Sequence, residues 1–195
     1  MSYLVSQLNM NRFFRWYIPF LCLGLGIAIL PFLILGTYNH FSADDFGHIE
    51  RLRSAGFWET QRLFYTTWMG RYFSIGIMSI YFQYFDSAGP ILLPALLILS
   101  TTMVLYAFLR TLIPDTIASS HVVVTVVTLM LLYLGYMIST VEGLFWISGA
   151  LQYQAAAIVT LLFILFLIRE KRAKTSPKYN ILYRCLTVTA LICAI

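Results

Sequence analysis

The chain has 195 residues, of which 60% are hydrophobic and only 11% are charged. About a quarter of the residues are charged in a typical soluble domain, so this composition excludes an ordinary soluble protein and predicts an integral membrane protein surrounded by lipids. The formal net charge is +5. The basic residues stand beside apolar runs, which is typical of membrane topology signals, so no nucleic-acid partner is expected.

Apolar runs predict transmembrane helices. A helix of about 20 apolar residues crosses a hydrocarbon layer of about 30 Å. Runs of this kind are residues 16–38, 91–109, 122–138 and, together with residues before it, 155–168. Two further runs, 71–85 and 181–195, are short for a span. The expected fold is all-α, a polytopic transmembrane helix bundle that forms a single membrane domain over residues 1–195.

Basic residues predict the orientation of the bundle. Arg12 and Arg15 precede the first run, and five more basic residues lie between residues 169 and 178. Because basic residues collect on the cytoplasmic side, the N-terminus and the basic loop 169–180 are expected in the cytoplasm and the loop 39–70 outside. Five crossings before residue 169 would place that basic loop outside. The weakest run, 71–85, is therefore expected to be re-entrant or interfacial.

The loop 39–70 lies in the longest polar stretch of the chain. Ser42 to Asp45 fit a capping box, in which Ser42 caps a helix and Asp45 stands three residues later. Apolar residues then recur near the helical period on both sides of Gly56, which is a plausible helix stop. Two short amphipathic helices lying at the membrane interface are predicted here.

Asp44 and Asp45 are the first candidates for chemistry. Two carboxylates just beyond a span could act as a base or bind a divalent cation. The alternative is that both are first-turn residues favoured by the helix dipole. Their side chains are expected to point in different directions and to have separate roles. His40 and His48 flank the pair without i, i+4 spacing, so they are expected to be solvated loop residues more than metal ligands.

Two later groups of residues are further candidates. Arg71 follows Trp68 at the membrane face and could pair with a phosphate; the alternative is a snorkelling arginine beside an interfacial tryptophan. Glu142 is a carboxylate between two spans, which is a candidate for function by default. Trp146 and Tyr153 could stack on a sugar ring, or belong to an interfacial aromatic belt.

The order of these motifs resembles that of bacterial polytopic membrane proteins of the GT-C glycosyltransferase superfamily, in a branch near the glucosyltransferases that decorate O-antigen and other surface polysaccharides. The points of likeness are Asp-Asp at 44–45, Trp-x-Gly-Arg at 68–71 and Phe-Trp-x-x-Gly-Ala-x-x-Tyr at 145–153. The resemblance implies a GT-C-like fold in the bacterial plasma membrane. It also implies an enzyme that moves a sugar from a polyprenyl-phosphate carrier to a glycan or lipid acceptor on the outer face.

The resemblance implies residue roles as well. Asp44 or Asp45 would activate the acceptor hydroxyl as a base, or hold a divalent cation such as Mg or Mn. Arg71 would neutralise the lipid phosphate leaving group. The remaining substrate-binding residues would be Trp68, Glu142, Trp146 and Tyr153. Enzymes of this superfamily have many more spans than this chain, so the chain is expected to be the N-terminal part of a larger membrane domain.

A non-enzymatic transport or scaffold subunit is the competing interpretation. Glu142 and Arg71 would then be charges of a transport pathway or of helix packing. The two interpretations differ in one placement. Transport predicts that Glu142 faces a cavity at the membrane midplane, whereas a glycosyltransferase predicts that Glu142 lies at the outer loop beside Asp44.

Overall fold

The computed structural model describes the backbone of residues 2–68, 71–85, 88–172 and 177–194 and the side chains of residues 17–68, 71–85, 88–172 and 181–191. Within these ranges all regular structure is helical. The α-helices are α1 (Ser2–Thr37), α2 (Asp44–Thr67), α3 (Tyr72–Tyr84), α4 (Gly89–Leu112), α5 (Ser119–Tyr136), α6 (Ile147–Arg172) and α7 (Pro177–Ala194). A single π-helical turn, Val141–Phe145, precedes α6.

Four of the described helices are long and apolar enough to cross a membrane. They are Tyr17–Thr37, Gly89–Leu112, Ser119–Tyr136 and Ile147–Arg172. This confirms the predicted all-α bundle and a multi-pass membrane protein. The fourth span begins earlier than the apolar run 155–168, because Ile147 to Tyr153 form its first two turns. Residues that looked like an interfacial loop are therefore part of a span.

Helix α3 is too short to be a fifth crossing. It has 13 residues, which at about 1.5 Å per residue is about 20 Å long, against about 30 Å of hydrocarbon. Its buried side chains, including Met78 and Tyr81, pack into the bundle core. The helix contacts α2 and α6, so it closes one end of the bundle. This is the length expected of a segment that does not cross.

The predicted break in the loop 39–70 is confirmed at Gly56. Helix α2 is two helical segments joined at this glycine, which has φ 75° and ψ 174°. A side chain is strained at a positive φ, so a glycine is the residue that this bend requires. The two segments match the two short helices that the sequence pattern predicts.

The core lies where α3, α4, α5, α6 and the π-helical turn meet. It is built from apolar side chains such as Leu97, Met130, Leu134 and Ile147. Hydrogen bonds between polar side chains also join three of these helices. Gln154 Nε2 donates to Thr101 Oγ1 at 2.7 Å, and Gln154 Oε1 accepts from the Tyr133 hydroxyl. Polar side chains within a bilayer are stabilised by such pairing between helices.

One end of the bundle collects the end of α1 and the starts of α2, α4 and α6. Asn39 holds this end together, because its Nδ2 donates to the Pro90 carbonyl at 3.0 Å and to the Phe145 carbonyl at 2.7 Å. The end of α4 and the end of α6 lie at the opposite end, where Arg169 Nε donates to Thr111 Oγ1 at 3.2 Å. We call the first the cavity end and the second the basic end.

Candidate functional site

A sharp turn at Ala43 directly precedes the two aspartates. Ala43 has φ 45° and ψ −115° and is the only non-glycine residue with a positive φ among those the structure describes. Such a conformation costs about 1–3 kcal/mol and persists only where the surroundings impose it. Directly after the turn, Asp44 is exposed and Asp45 is fully buried. The expected divergence of the two side chains is therefore present.

Asp45 joins the loop 39–70 to the start of α6. Its Oδ1 accepts from the Ser148 amide at 3.0 Å and from the Ser148 hydroxyl at 2.5 Å, and its Oδ2 accepts from the Ser42 amide at 3.0 Å. The carboxylate thus caps a helix that begins about a hundred residues later, where the helix dipole favours negative charge. Burial raises the pKa of Asp45, against hydrogen bonds from Ser148 and Ser42 that lower it.

The predicted capping box forms in one direction only. The Asp45 carboxylate reaches back to the Ser42 amide, as a residue at the third helical position does in this motif. However, α2 begins after Ala43, and no side chain caps it. Ser42 is therefore not the cap, because Ala43 occupies the N-cap position and its methyl side chain cannot accept a hydrogen bond.

A cavity of about 240 Å³ lies beside this junction, between α2, α3 and the first turns of α6. Its wall combines an acceptor, a cation, neutral polar groups and several aromatic rings. The lining residues are Asp44, Gly47, His48, Arg51, Phe64, Trp68, Ile75, Met78, Trp146, Ser148, Gln152 and Tyr153. Apolar walls with a few convergent polar groups are typical of small-molecule sites.

The structure brings most of the predicted site residues together. Asp44, Trp68, Trp146 and Tyr153 line the same cavity, although they come from segments about a hundred residues apart. Asp45 lies behind the wall, bonded to the lining residue Ser148.

Two further predicted residues, besides Asp45, do not line this cavity. Arg71 is exposed and precedes the first turn of α3. Glu142 is exposed on the π-helical turn. It lies at the cavity end and not at the midplane. Of the Trp-x-Gly-Arg motif, Met69 and Gly70 lie outside the described residues. The cation in the cavity wall is Arg51, whose guanidinium lies 5.1 Å from the centre of the Phe64 ring.

His48 is not a solvated loop residue, so that expectation was wrong. Its side chain is 1% exposed, stacks on Phe64 with ring centres 4.8 Å apart, and its Nε2 lies 2.8 Å from Ser79 Oγ. Burial, and then the positive charge of Arg51, lower its pKa to about 4. The imidazole is therefore neutral near neutral pH. His40, in contrast, is exposed as expected.

His48 and Arg51 were not predicted as cavity residues, although the sequence contains a pattern that indicates them. Asp44, His48 and Arg51 stand at i, i+4 and i+7, which places them on one face of a helix. Ser148 and Gln152 were missed as well, and their i, i+4 spacing puts both on one side of α6. No local sequence pattern indicates the pairing of Ser148 with Asp45.

Gly149 fixes the position of Trp146 over the cavity. A Cβ atom on Gly149 would lie 2.6 Å from the Glu142 carbonyl oxygen and 2.7 Å from Cε3 of the Trp146 ring. The π-helical turn therefore rests directly on the first turn of α6.

The side chains present do not fit a cation held by both aspartates. Within the described residues there is no group of three His, Cys, Asp or Glu side chains that could hold a metal ion. The oxygens of Asp45 already accept three hydrogen bonds from N–H and O–H donors. Asp44 would be the single acidic ligand, and hard divalent cations take several oxygen ligands.

Comparison with protein-family models, with curated proteins and with solved structures finds no match to this chain. Its function has therefore to be inferred from the residues around the cavity.

Proposed function

We propose that this chain is a membrane glycosyltransferase of the GT-C type that moves a sugar from a polyprenyl-phosphate carrier to a glycan or lipid acceptor on the outer face of the bacterial plasma membrane. One observation carries the proposal. An exposed carboxylate, Asp44, shares a small cavity with the aromatic side chains of Trp68, Trp146 and Tyr153 at one end of a membrane bundle.

Asp44 is the proposed catalytic base. It would accept the proton of the acceptor hydroxyl while that oxygen bonds to the anomeric carbon of the sugar. The bond from this carbon to the carrier phosphate oxygen breaks, and polyprenyl phosphate leaves with the electron pair. Asp44 is suited to this because it lines the cavity, whereas Asp45 is fully buried.

Arg51 is the proposed partner of the leaving phosphate, in place of Arg71. Its guanidinium lines the cavity, and an arginine there would offset the charge that develops on the phosphate as the bond breaks. Trp68, Trp146 and Tyr153 offer aromatic faces for the sugar. Asp45 is a positioning residue, because it holds α2 against the start of α6 through Ser148.

The alternative, a transport or scaffold subunit, has less support. A pathway for ions or charged substrates requires ionisable groups inside the bundle. The interiors of the four apolar segments contain no Asp, Glu, Lys or Arg, and Glu142 is exposed at the cavity end. The side chains of Gln154, Thr101 and Tyr133 hydrogen-bond to one another, which is expected of a packing contact.

The test is sugar transfer in bacterial membranes that contain the chain. Labelled sugars on polyprenyl phosphate are supplied, and transfer to the glycan and lipid fractions is measured. Asp44→Asn should lower the rate by about 10²- to 10⁴-fold, the usual contribution of a general base. Glu50→Gln is the matched control, because Glu50 is an exposed carboxylate on the same helix that does not line the cavity.

Two results would contradict the proposal. One is a wild-type chain that transfers no sugar from any of the donors supplied. The other is an Asp44→Asn variant that transfers at the wild-type rate.

A further inference from the structure

Two glutamines of α6 stand two residues apart and have different surroundings. Gln154 is buried and its amide is paired at both atoms, because Nε2 donates to Thr101 Oγ1 and Oε1 accepts from the Tyr133 hydroxyl. Gln152 is half-buried and lines the cavity. Its one hydrogen bond within the described residues runs from Nε2 to the sulfur of Met78, at 3.6 Å. Residues two apart do not face the same side of a helix, so Gln154 faces the core and Gln152 faces the cavity.

The amide of Gln152 has hydrogen-bonding positions that the protein does not use. A side-chain amide has two N–H donors and an oxygen with two lone pairs, whereas a thioether sulfur is a weak acceptor. Among the residues that the structure describes, none donates to Gln152 Oε1. Unlike the unpaired nitrogens of His48 and Trp146, this oxygen is not shielded from solvent. Because Met78 also lines the cavity, the amide lies in the cavity wall, where a ligand can reach it.

The unused positions of this amide make binding selective. The wall around the amide is largely apolar and includes Phe64, Trp68, Ile75 and Met78. When a ligand displaces water from such a wall, it must replace the hydrogen bonds that the water made. A ligand without a matching group leaves the amide unpaired, and this costs affinity. Gln152 can therefore distinguish between ligands of the same size that differ in one polar group.

The chemistry of the amide indicates the group that it matches. An amide is uncharged and offers an acceptor beside a donor, and a hydroxyl group also accepts and donates. Two neighbouring hydroxyls of a sugar ring can therefore pair with Oε1 and Nε2 of Gln152 at the same time. A phosphate carries negative charge and accepts hydrogen bonds, so Arg51 in the same wall is the better partner for a phosphate.

We infer that Gln152 selects the sugar that this chain binds, by pairing its amide with hydroxyl groups of the sugar ring. The inference rests on the proposed function, because the bound ring is taken to be the sugar on the carrier. It adds a specificity-determining residue to the proposed reaction. Gln152 contacts the sugar at its hydroxyls and takes no part in the proton transfer assigned to Asp44. Its loss therefore changes which sugar binds and not how the sugar reacts.

The test measures binding of D-glucose, D-galactose, D-mannose and their monodeoxy analogues to the whole chain in lipid nanodiscs, by ligand-observed NMR. The wild type should bind a parent sugar about three- to tenfold more tightly than the analogue that lacks the hydroxyl paired with Gln152, the range of one neutral hydrogen bond. Gln152→Met keeps a flexible side chain of similar length but has no amide. In this variant the preference for the parent sugar over that analogue should disappear.

Gln154→Met is the matched control, because it makes the same replacement in an amide that is paired inside the bundle. It should keep every wild-type preference, and its unfolding temperature in detergent should fall because Thr101 and Tyr133 lose their partner. Gln152→Met should unfold at or above the wild-type temperature, because its amide has only a sulfur partner. A loss of selectivity without a loss of stability is not expected if Gln152 serves packing alone. Gln152→Asn, whose amide is one methylene group shorter, is a second variant that should lose the same preference.

The outcomes separate this inference from the proposed function. The inference is overturned if no parent sugar binds more tightly than its deoxy analogues, if Gln152→Met keeps every wild-type preference, or if Gln152→Met weakens the binding of all the sugars equally. Each of these results overturns it even when sugar transfer is observed. The inference stands, and the proposed reaction fails, if a preference depends on Gln152 while no carrier-linked sugar is transferred.

Discussion

The cavity end and the basic end of the bundle both carry charged side chains, but they hold them in different ways. At the cavity end, Asp45 is fully buried and paired with residues from two segments. At the basic end, Arg110 pairs with Asp115 at 3.4 Å, and the Asp115 side chain is 98% exposed. Burying a charged side chain between distant segments has a desolvation cost, and only well-placed hydrogen-bond partners offset that cost. Charge at an exposed end is sufficiently explained as a topology signal.

Replacing Asp45 should cause the largest loss of stability at the cavity end. Asp45→Ala leaves the Ser148 amide, the Ser148 hydroxyl and the Ser42 amide without their acceptor, in a site where water does not replace it. We expect a loss of about 3 kcal/mol or more in the free energy of unfolding. Asp45→Asn keeps one carbonyl acceptor and should lose less. Unfolding in detergent, followed by circular dichroism, measures both variants.

A side chain at Gly149 should separate the π-helical turn from α6. Gly149→Ala puts a methyl group 2.6 Å from the Glu142 carbonyl oxygen, so the turn must move and Trp146 must move with it. We expect a loss of about 1–3 kcal/mol together with weaker sugar binding. Gly135→Ala is the control, because nothing lies within 4 Å of a Cβ atom there. Equal stability of the two variants would show that the turn does not rest on α6 in this way.

Lowering the pH should reduce the stability of the cavity end because His48 is buried there as a neutral imidazole. The pKa of His48 is about 4 in the folded protein and 6.5 as an unperturbed group. Between these values the unfolded chain binds a proton that the folded chain does not, so stability is fully present above about pH 6.5 and falls as pH drops towards 4. The expected loss between pH 7 and pH 5 is about 2 kcal/mol.

A His48→Gln variant isolates this effect from other groups that titrate nearby. Asp45 has a raised pKa, so its own contribution has the opposite sign and is lost as pH rises through the folded value. The difference between wild type and His48→Gln, in unfolding curves taken from pH 7 to pH 5, therefore reports His48 alone. A difference that stays constant over this range would contradict a buried neutral histidine.

The smallest effect is expected at the basic end. Asp115→Asn removes the partner of Arg110, but exposed ion pairs contribute about 0–1 kcal/mol. The free energy of unfolding should change by less than 1 kcal/mol, and sugar binding should not change. A loss as large as that of Asp45→Ala would remove the contrast between the two ends.

Local patterns predicted the spans and the break in α2. Hydrophobic length is a property of neighbouring residues, and a bend at Gly56 follows from glycine's tolerance of positive φ. The start of α6 at Ile147 agrees with a span that includes residues before the apolar run 155–168, although polar side chains in its first two turns face the cavity and the core. The same polar residues, Ser148 and Gln152, look like a loop when the sequence is taken without its neighbours in space.

The candidate site was predicted in part, for a reason that its contacts explain. Asp44, Trp146 and Tyr153 stood out because they are polar or aromatic residues placed directly beside the apolar runs of predicted spans. The Asp45–Ser148 pair joins residues 103 positions apart, and no local pattern encodes such a pairing. Arg71 and Glu142 drew attention through their charge, yet both lie on exposed segments outside the cavity wall.

The most direct test of the account labels a cysteine at position 44 in intact cells, in a chain whose Cys22, Cys185 and Cys193 are replaced by serine. The account predicts that Asp44→Cys reacts with a membrane-impermeant maleimide from outside and that an added polyprenyl-phosphate sugar slows the reaction. Asp115→Cys, at the basic end, should react only after the membrane is permeabilised. If Asp44→Cys instead reacts only from the inside, or at the same rate with and without the carrier-linked sugar, the cavity is not an outward-facing sugar site.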